Sequence, residues 1–163
     1  MLSSQTILTA AACTDHDESF QVLVGGHDLT REDGQQGVEI CSIEQHPDYN
    51  YPDHDLSILT LCSPLQMSRS VSPVCLPPLP PSSYAGMSAT SGWGTLSYKD
   101  IFDGSQSDKL KEANVTVIDN TECIEAYANE WEDITESMIC ARDEGKDGRN
   151  GDSGGKITLY ELY

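Results

Sequence analysis

The chain has 163 residues, with 27 acidic against 9 basic side chains and a formal charge of −18. Such a charge repels phosphate backbones, so nucleic acid is not an expected partner. It favours cationic ligands or substrates, or simply solubility. No apolar run approaches the roughly 18 residues that a membrane span requires, and no membrane partner is expected.

In chain order, Met1 to Cys13 has the Ala10-Ala11-Ala12 look of a leader cleavage site. It lacks a basic start, since Arg31 is the first Lys or Arg, and Ser3 to Thr6 interrupt the apolar stretch. A signal peptide needs both features, so this segment is expected to belong to the folded chain. Phe20, Val22 and Val24 alternate before Gly25-Gly26 and predict a strand. Val38, Ile40 and Ile43, Leu56 to Leu61, and Asn114 to Ile118 predict three more. Short strands divided by turn residues argue for an all-β barrel or sandwich. Asp119 followed by Glu122 has the capping-box spacing and predicts one helix starting there. Pro73, Pro77, Pro78, Pro80 and Pro81 remove ladder donors and fix φ, so residues 73–83 are expected to connect two β subdomains, 1–72 and 84–163.

Six cysteines without a C-x-x-C pair do not read as a zinc site; they fit disulfides in an oxidising, extracellular setting. No metal and no cofactor is expected. Gly151-Asp152-Ser153-Gly154-Gly155 is the segment richest in chemistry. Glycines beside a serine permit a tight turn whose backbone approaches a substrate closely. The N–H groups of Gly151 and Ser153 would then converge on a developing oxyanion, worth roughly 3 kcal/mol per donor. Taken alone, the string is also an ordinary turn.

Seven segments in order carry a resemblance. Ile7-Leu8-Thr9-Ala10-Ala11-Ala12-Cys13, His46-Pro47-Asp48-Tyr49-Asn50 and Asp53-His54-Asp55-Leu56-Ser57-Ile58-Leu59 come first. Val71-Ser72-Pro73-Val74-Cys75-Leu76-Pro77, Ser91-Gly92-Trp93-Gly94, Met138-Ile139-Cys140-Ala141 and Gly151 to Gly155 follow. Together they resemble the chymotrypsin/trypsin family of serine proteases over nearly the whole chain. The resemblance implies two antiparallel Greek-key β-barrels and peptide hydrolysis through an acyl-enzyme. It implies that Ser153 is the nucleophile and that Asp55 orients a histidine. It also implies that Asp147 is the acid selecting Lys or Arg in peptide or protein substrates.

The same resemblance exposes departures. Ala12 stands where the family has its catalytic histidine, and a methyl group can neither accept nor return a proton. His16, His27, His46 and His54 are not expected to substitute; neighbouring extended residues point to opposite sides, which turns His54 away from the direction of Asp55. Against the roughly 200–250 residues common for single all-β domains, both barrels are expected to be incomplete, one at each end of the chain. Without the family's activated N-terminus, Asp152 is expected to lack a partner. Even with Ala12→His, the short chain is expected to stay nearly inactive.

The resemblance pairs Cys123 with Cys140; Cys41 and Cys62 lie on segments expected to be adjacent strands, where a second bridge is the expectation. It sends Cys13 to a partner upstream and Cys75 to a propeptide chain. Gly26, Asp33 and Gln36 make a poor calcium loop, with one hard-oxygen ligand where several are needed. The expectation is thus an extracellular, trypsin-like serine endopeptidase by descent, impaired in this chain. The alternatives are a pseudoprotease that binds basic peptides, or a fragment without function of its own.

Overall fold

The computed structural model describes residues 1–15, 21–32, 34–76, 86–96, 105–128, 134–144 and 151–159. The chain divides into two units, Met1–Pro77 with Asp108–Leu110, and Pro78–Ser107 with Lys111–Tyr163. Most of the proline-rich connector, together with Phe20 and the C-terminal residues 160–163, lies outside the described residues.

The first unit is a curled four-stranded antiparallel sheet of β1 (Thr6–Thr9), β2 (Gln21–Val24), β3 (Gln36–Gln45) and β4 (Ser57–Leu61). Its spatial order is β1-β4-β3-β2. Three consecutive strands pair in turn and the remaining one lies beside the last, which is Greek-key connectivity. The alternation read along β2 and β3 places Val22, Val24, Val38 and Ile40 against a core of Leu61, Leu65 and Val71, joined by Met1 and Ile7. Each fully buried Leu or Val contributes about 1.5–3 kcal/mol. Between Ile40 and Ser42 the β3–β4 register shifts, so Cys41 occupies an irregularity in the ladder. Cys41 is bonded to Cys62 there, with the two Cα atoms 4.8 Å apart.

The second unit has β5 (Gly86–Gly92), β6 (Lys111–Ile118), β7 (Cys140–Arg142) and β8 (Lys156–Leu159), in the order β7-β6-β5-β8. This again is a Greek key. Val115 and Val117 of β6 are buried, Val115 opposite the buried Ser88 of β5, while the neighbouring Ala89 is buried on the other face. Helix α1 (Asn120–Tyr127) follows β6 directly. Its buried Cys123 is bonded to Cys140 at the start of β7, tying the helix to the sheet edge.

The helix start corrects the sequence reading in one respect. Asp119 is the N-cap and accepts the Thr121 N–H at 2.8 Å, but Glu122 does not complete a capping box. Its carboxylate pairs with Arg142 on β7 instead. An opposite charge across the interface competes with the weaker bond back to the Asp119 N–H, and here the charged partner wins.

Candidate active site

In the first unit the site is built around Asp55. The loop before it closes on itself: His46 N–H donates to Leu56 O at 2.8 Å, and Asn50 and Asp53 exchange backbone bonds of 3.1 and 2.9 Å. Leu56 N–H reaches His54 O at 2.7 Å, across a His54 held at a φ of 51°. So constrained, Asp55 Oδ1 accepts the Ala12 N–H at 2.7 Å. Ala12 opens a short 3-10 turn, Ala12–Thr14, that follows β1 on the fully buried Ala11. Asp55 and Ala12 are therefore partners through the backbone, and the side chain beside that bond is a methyl group.

Polar neighbours fix this turn. Gln45 Nε2 donates to Ala11 O, Thr14 Oγ1 and Asp15 Oδ1 at 3.3, 3.0 and 2.8 Å. Tyr49 donates its phenol to Asp15 Oδ2 at 2.9 Å. Desolvation, the Asp15 bond and the carboxylates of Asp15 and Asp55 push the Tyr49 phenol up to about 12. Cys13 is exposed and in no disulfide, with its thiol pushed up by partial burial and then by Asp55, against a hydrogen bond with Thr9. His54 is not extended, contrary to the alternation argument. Its ring stacks on His46 with centroids 4.8 Å apart, and its Nδ1 lies 3.3 Å from Asp53 Oδ2.

The second unit carries the serine. Gly151 and Gly154 take φ values of 94° and 76°, conformations that a side chain would strain. Gly155 N–H closes the turn on Asp152 O at 3.0 Å. Asp152 is not left without a partner as the sequence suggested: its Oδ1 accepts the Gly94 N–H at 2.7 Å. The carboxylate lies over Gly92 and Gly94, and a Cβ on Gly94 would meet its oxygens at 2.5 and 2.6 Å. Sequence reasoning matched this Gly-Trp-Gly string to the family without seeing why glycine is needed there. The close approach of a carboxylate is the reason.

Ser153 is exposed within this turn. It lines an open depression of about 310 Å³ with Thr90, Asp152, Gly154, Gly155, Lys156 and Ile157. The Gln106 carboxamide packs on Gly151, whose Cβ position is 2.5 Å from Gln106 Nε2. Neither Gln106 nor Lys156 was singled out by the sequence. Asp147, Asp33 and His16 lie outside the described residues. Among the described residues no group of three His, Cys, Asp or Glu side chains is placed to hold a metal.

Two curled Greek-key sheets carry an Asp-anchored turn on one and a glycine-framed serine on the other, and comparisons with known proteins show the family to which this fold belongs. A family model described as Trypsin matches residues 1–158. A venom serine protease of Bombus ignitus is 37% identical over all of this chain and 48% of its own length. A venom protease of Bombus pensylvanicus is 36% identical over 98% of this chain and 69% of its own. Among solved structures, neuropsin, a serine protease expressed in the limbic system of mouse brain, superposes with a TM-score of 0.83 and 29% identity. That match covers 97% of this chain and 69% of the other. The chain belongs to the trypsin family of serine proteases, and it spans about half the length of the first of these relatives.

Proposed function

We propose that this chain is a catalytically impaired, extracellular member of the trypsin-like endopeptidases, derived from an enzyme that cleaves after Lys or Arg. The observation carrying this reading is the Ala12 N–H bond to Asp55 Oδ1. The residue docked on the orienting carboxylate has no imidazole. In the family's reaction Ser153 Oγ attacks the scissile carbonyl, and the N–H groups of Gly151 and Ser153 receive the oxyanion. The serine proton must leave as the bond forms, and a base must later protonate the leaving amine. Ala12 does neither. In a comparable triad, loss of the histidine lowers turnover by about 10⁶, or roughly 8 kcal/mol in the transition state.

Asp147 is assigned the Lys/Arg preference by its place six residues before Ser153. The exposed, unbonded Cys75 is assigned to a propeptide chain. The assay is hydrolysis of an arginine ester by the chain and by its Ser153→Ala variant. Indistinguishable rates are expected; a ratio above about 10³ would show a working base and end this reading.

The charge of −18 favours a second reading, a pseudoprotease that retains basic peptides without cutting them. It predicts salt-sensitive binding of an arginine-rich peptide that Asp147→Asn weakens. Binding indifferent to that change would remove it.

A further inference from the structure

Asn114-Val115-Thr116 is the chain's one Asn-x-Ser/Thr triplet, and its middle residue is not proline. That is the acceptor pattern for N-linked glycans, and it also arises by chance, so its setting in the fold has to be weighed. Asparagine is depleted in strands because its carboxamide competes for backbone bonds. Asn114 nevertheless stands in the middle of β6, and its side chain makes no hydrogen bond among the described residues. Packing does not call for it either, because Asn114 is exposed.

The alternation of β6 sorts the triplet between two faces. Val115 and Val117 are buried, while Asn114 and Thr116 lie exposed together on the opposite face. Across the ladder Asn114 meets Ala89, and Thr116 meets Met87, itself 54% exposed. Ala89 is buried, yet Asn114 opposite it is exposed, so whatever covers that methyl group leaves the carboxamide open. On its other side, β6 pairs with β7 only from Thr116 to Ile118. Asn114 thus lies beyond the end of that neighbour, with β5 alone paired beside it among the described residues. A bulky, hydrated group placed there enters solvent and displaces no core contact. We propose that Asn114 is a site of N-linked glycosylation, which rests on the extracellular setting proposed above.

The step is a group transfer, and the donor it needs is an oligosaccharide carried on a lipid diphosphate. Asn114 Nδ2 attacks C1 of the first sugar and a C–N bond forms. The bond from C1 to the diphosphate oxygen breaks, its electron pair leaves with the lipid diphosphate, and one amide proton passes to a base of the transferring enzyme. Nothing is oxidised or reduced. The hydroxyl two residues on, that of Thr116, completes the pattern the enzyme reads. A strand already paired with β5 cannot bend into an enzyme's cleft, so the transfer precedes β5–β6 pairing. The exposed face then lets the folded sheet keep the sugar.

The whole chain, with a signal peptide supplied in front of Met1, is expressed in mammalian cells. Chain from which that leader has been removed has crossed the membrane, folded or not, and is the material analysed. Peptide-N-glycosidase in heavy-oxygen water turns an occupied asparagine into labelled aspartate, so mass spectrometry reads residue 114 directly. Label there is expected in most of the processed chain. Asn114→Gln and Thr116→Ala should each lose the glycan, and Thr116→Ser should keep it at reduced occupancy, because serine retains the hydroxyl. Asn114→Thr, which favours the strand, should lose the glycan yet give the circular dichroism of the enzymatically deglycosylated parent. Processed chain without label at residue 114, or label that survives Thr116→Ala, would overturn the proposal. The supplied leader makes entry independent of the extracellular reading. That reading is tested apart, by the state of Cys41 and Cys62 in chain isolated from its own source: open thiols there would end it without altering the acceptor result.

Discussion

A methyl group on Gly94 would sit 2.5 Å from the Asp152 carboxylate, inside any tolerable contact. Gly94→Ala must therefore expel that side chain and break the 2.7 Å bond that holds the serine turn. The expected cost is about 2–4 kcal/mol from overpacking and a lost charged hydrogen bond, read from urea denaturation. Gly34→Ala is the control, since nothing lies within 4 Å of its Cβ and only its φ of 85° resists substitution. Tyr49 gives a second test, through pH. Its phenol is raised from the usual value of 10.0 to about 12, so the folded state prefers the protonated form. That stabilisation is complete below pH 10 and disappears as pH rises toward 12. Tyr49→Phe should accordingly be less stable than the parent at pH 8, with the difference in urea midpoint shrinking steadily between pH 10 and 12. A difference independent of pH would contradict the Asp15 and Asp55 environment described for this hydroxyl.

Among the elements, what could be read in advance depended on whether burial left a periodic trace. Val115 and Val117 of β6 are buried at alternate positions, and the sequence predicted that strand from them. β5 was not predicted. It lies between β6 and β8, and its Ser88, Ala89, Thr90 and Ser91 are small residues accommodated on both faces. Small polar residues in a central strand give no alternation to count. The Leu56 to Leu61 run was read correctly as a strand, although Ser57 is buried while Leu56 and Ile58 are more than one-third exposed. Hydroxyl bonding explains that inversion, because Ser57 Oγ accepts from Thr14 Oγ1 and donates to Glu44 O. The serine turn and Asp55 were legible as motifs, whereas the Gly94–Asp152 bond joins residues 58 positions apart and left no local signal. The Cys41–Cys62 bond spans 21 residues of chain. Replacing both cysteines with serine should cost about 3 kcal/mol by the loop-entropy estimate, measurable as a shift in thermal midpoint. An unchanged midpoint would mean that the β3–β4 ladder alone restrains this segment as well as the bond does.

At the scale of the molecule, each unit is a Greek-key sheet with its own disulfide, yet the chain does not divide cleanly between them. Residues Asp108–Leu110 belong to the first unit although both flanking stretches belong to the second. They are fastened by Leu29 N–H to Asp108 O at 2.7 Å, Leu110 N–H to His27 O at 2.8 Å, and a bridge between Asp28 and Lys109. Asp28 is 7% exposed, and its carboxyl is held below the usual value chiefly by the Thr30 hydroxyl bond. The three residues thus supply backbone partners to the segment that follows β2, around the buried Asp28. Modularity is the casualty. A gene cut at the proline-rich connector would separate residues 1–77 from a clip encoded more than thirty codons later, so two halves that look self-sufficient as sheets are not interchangeable cassettes. Expressed alone, 1–77 should show rapid amide exchange at Leu29, and adding 78–163 in trans should slow it. Equal protection with and without the second half would mean that the first sheet needs nothing from beyond the cut. The expected result makes the first sheet dependent on a strip of backbone encoded in the second half.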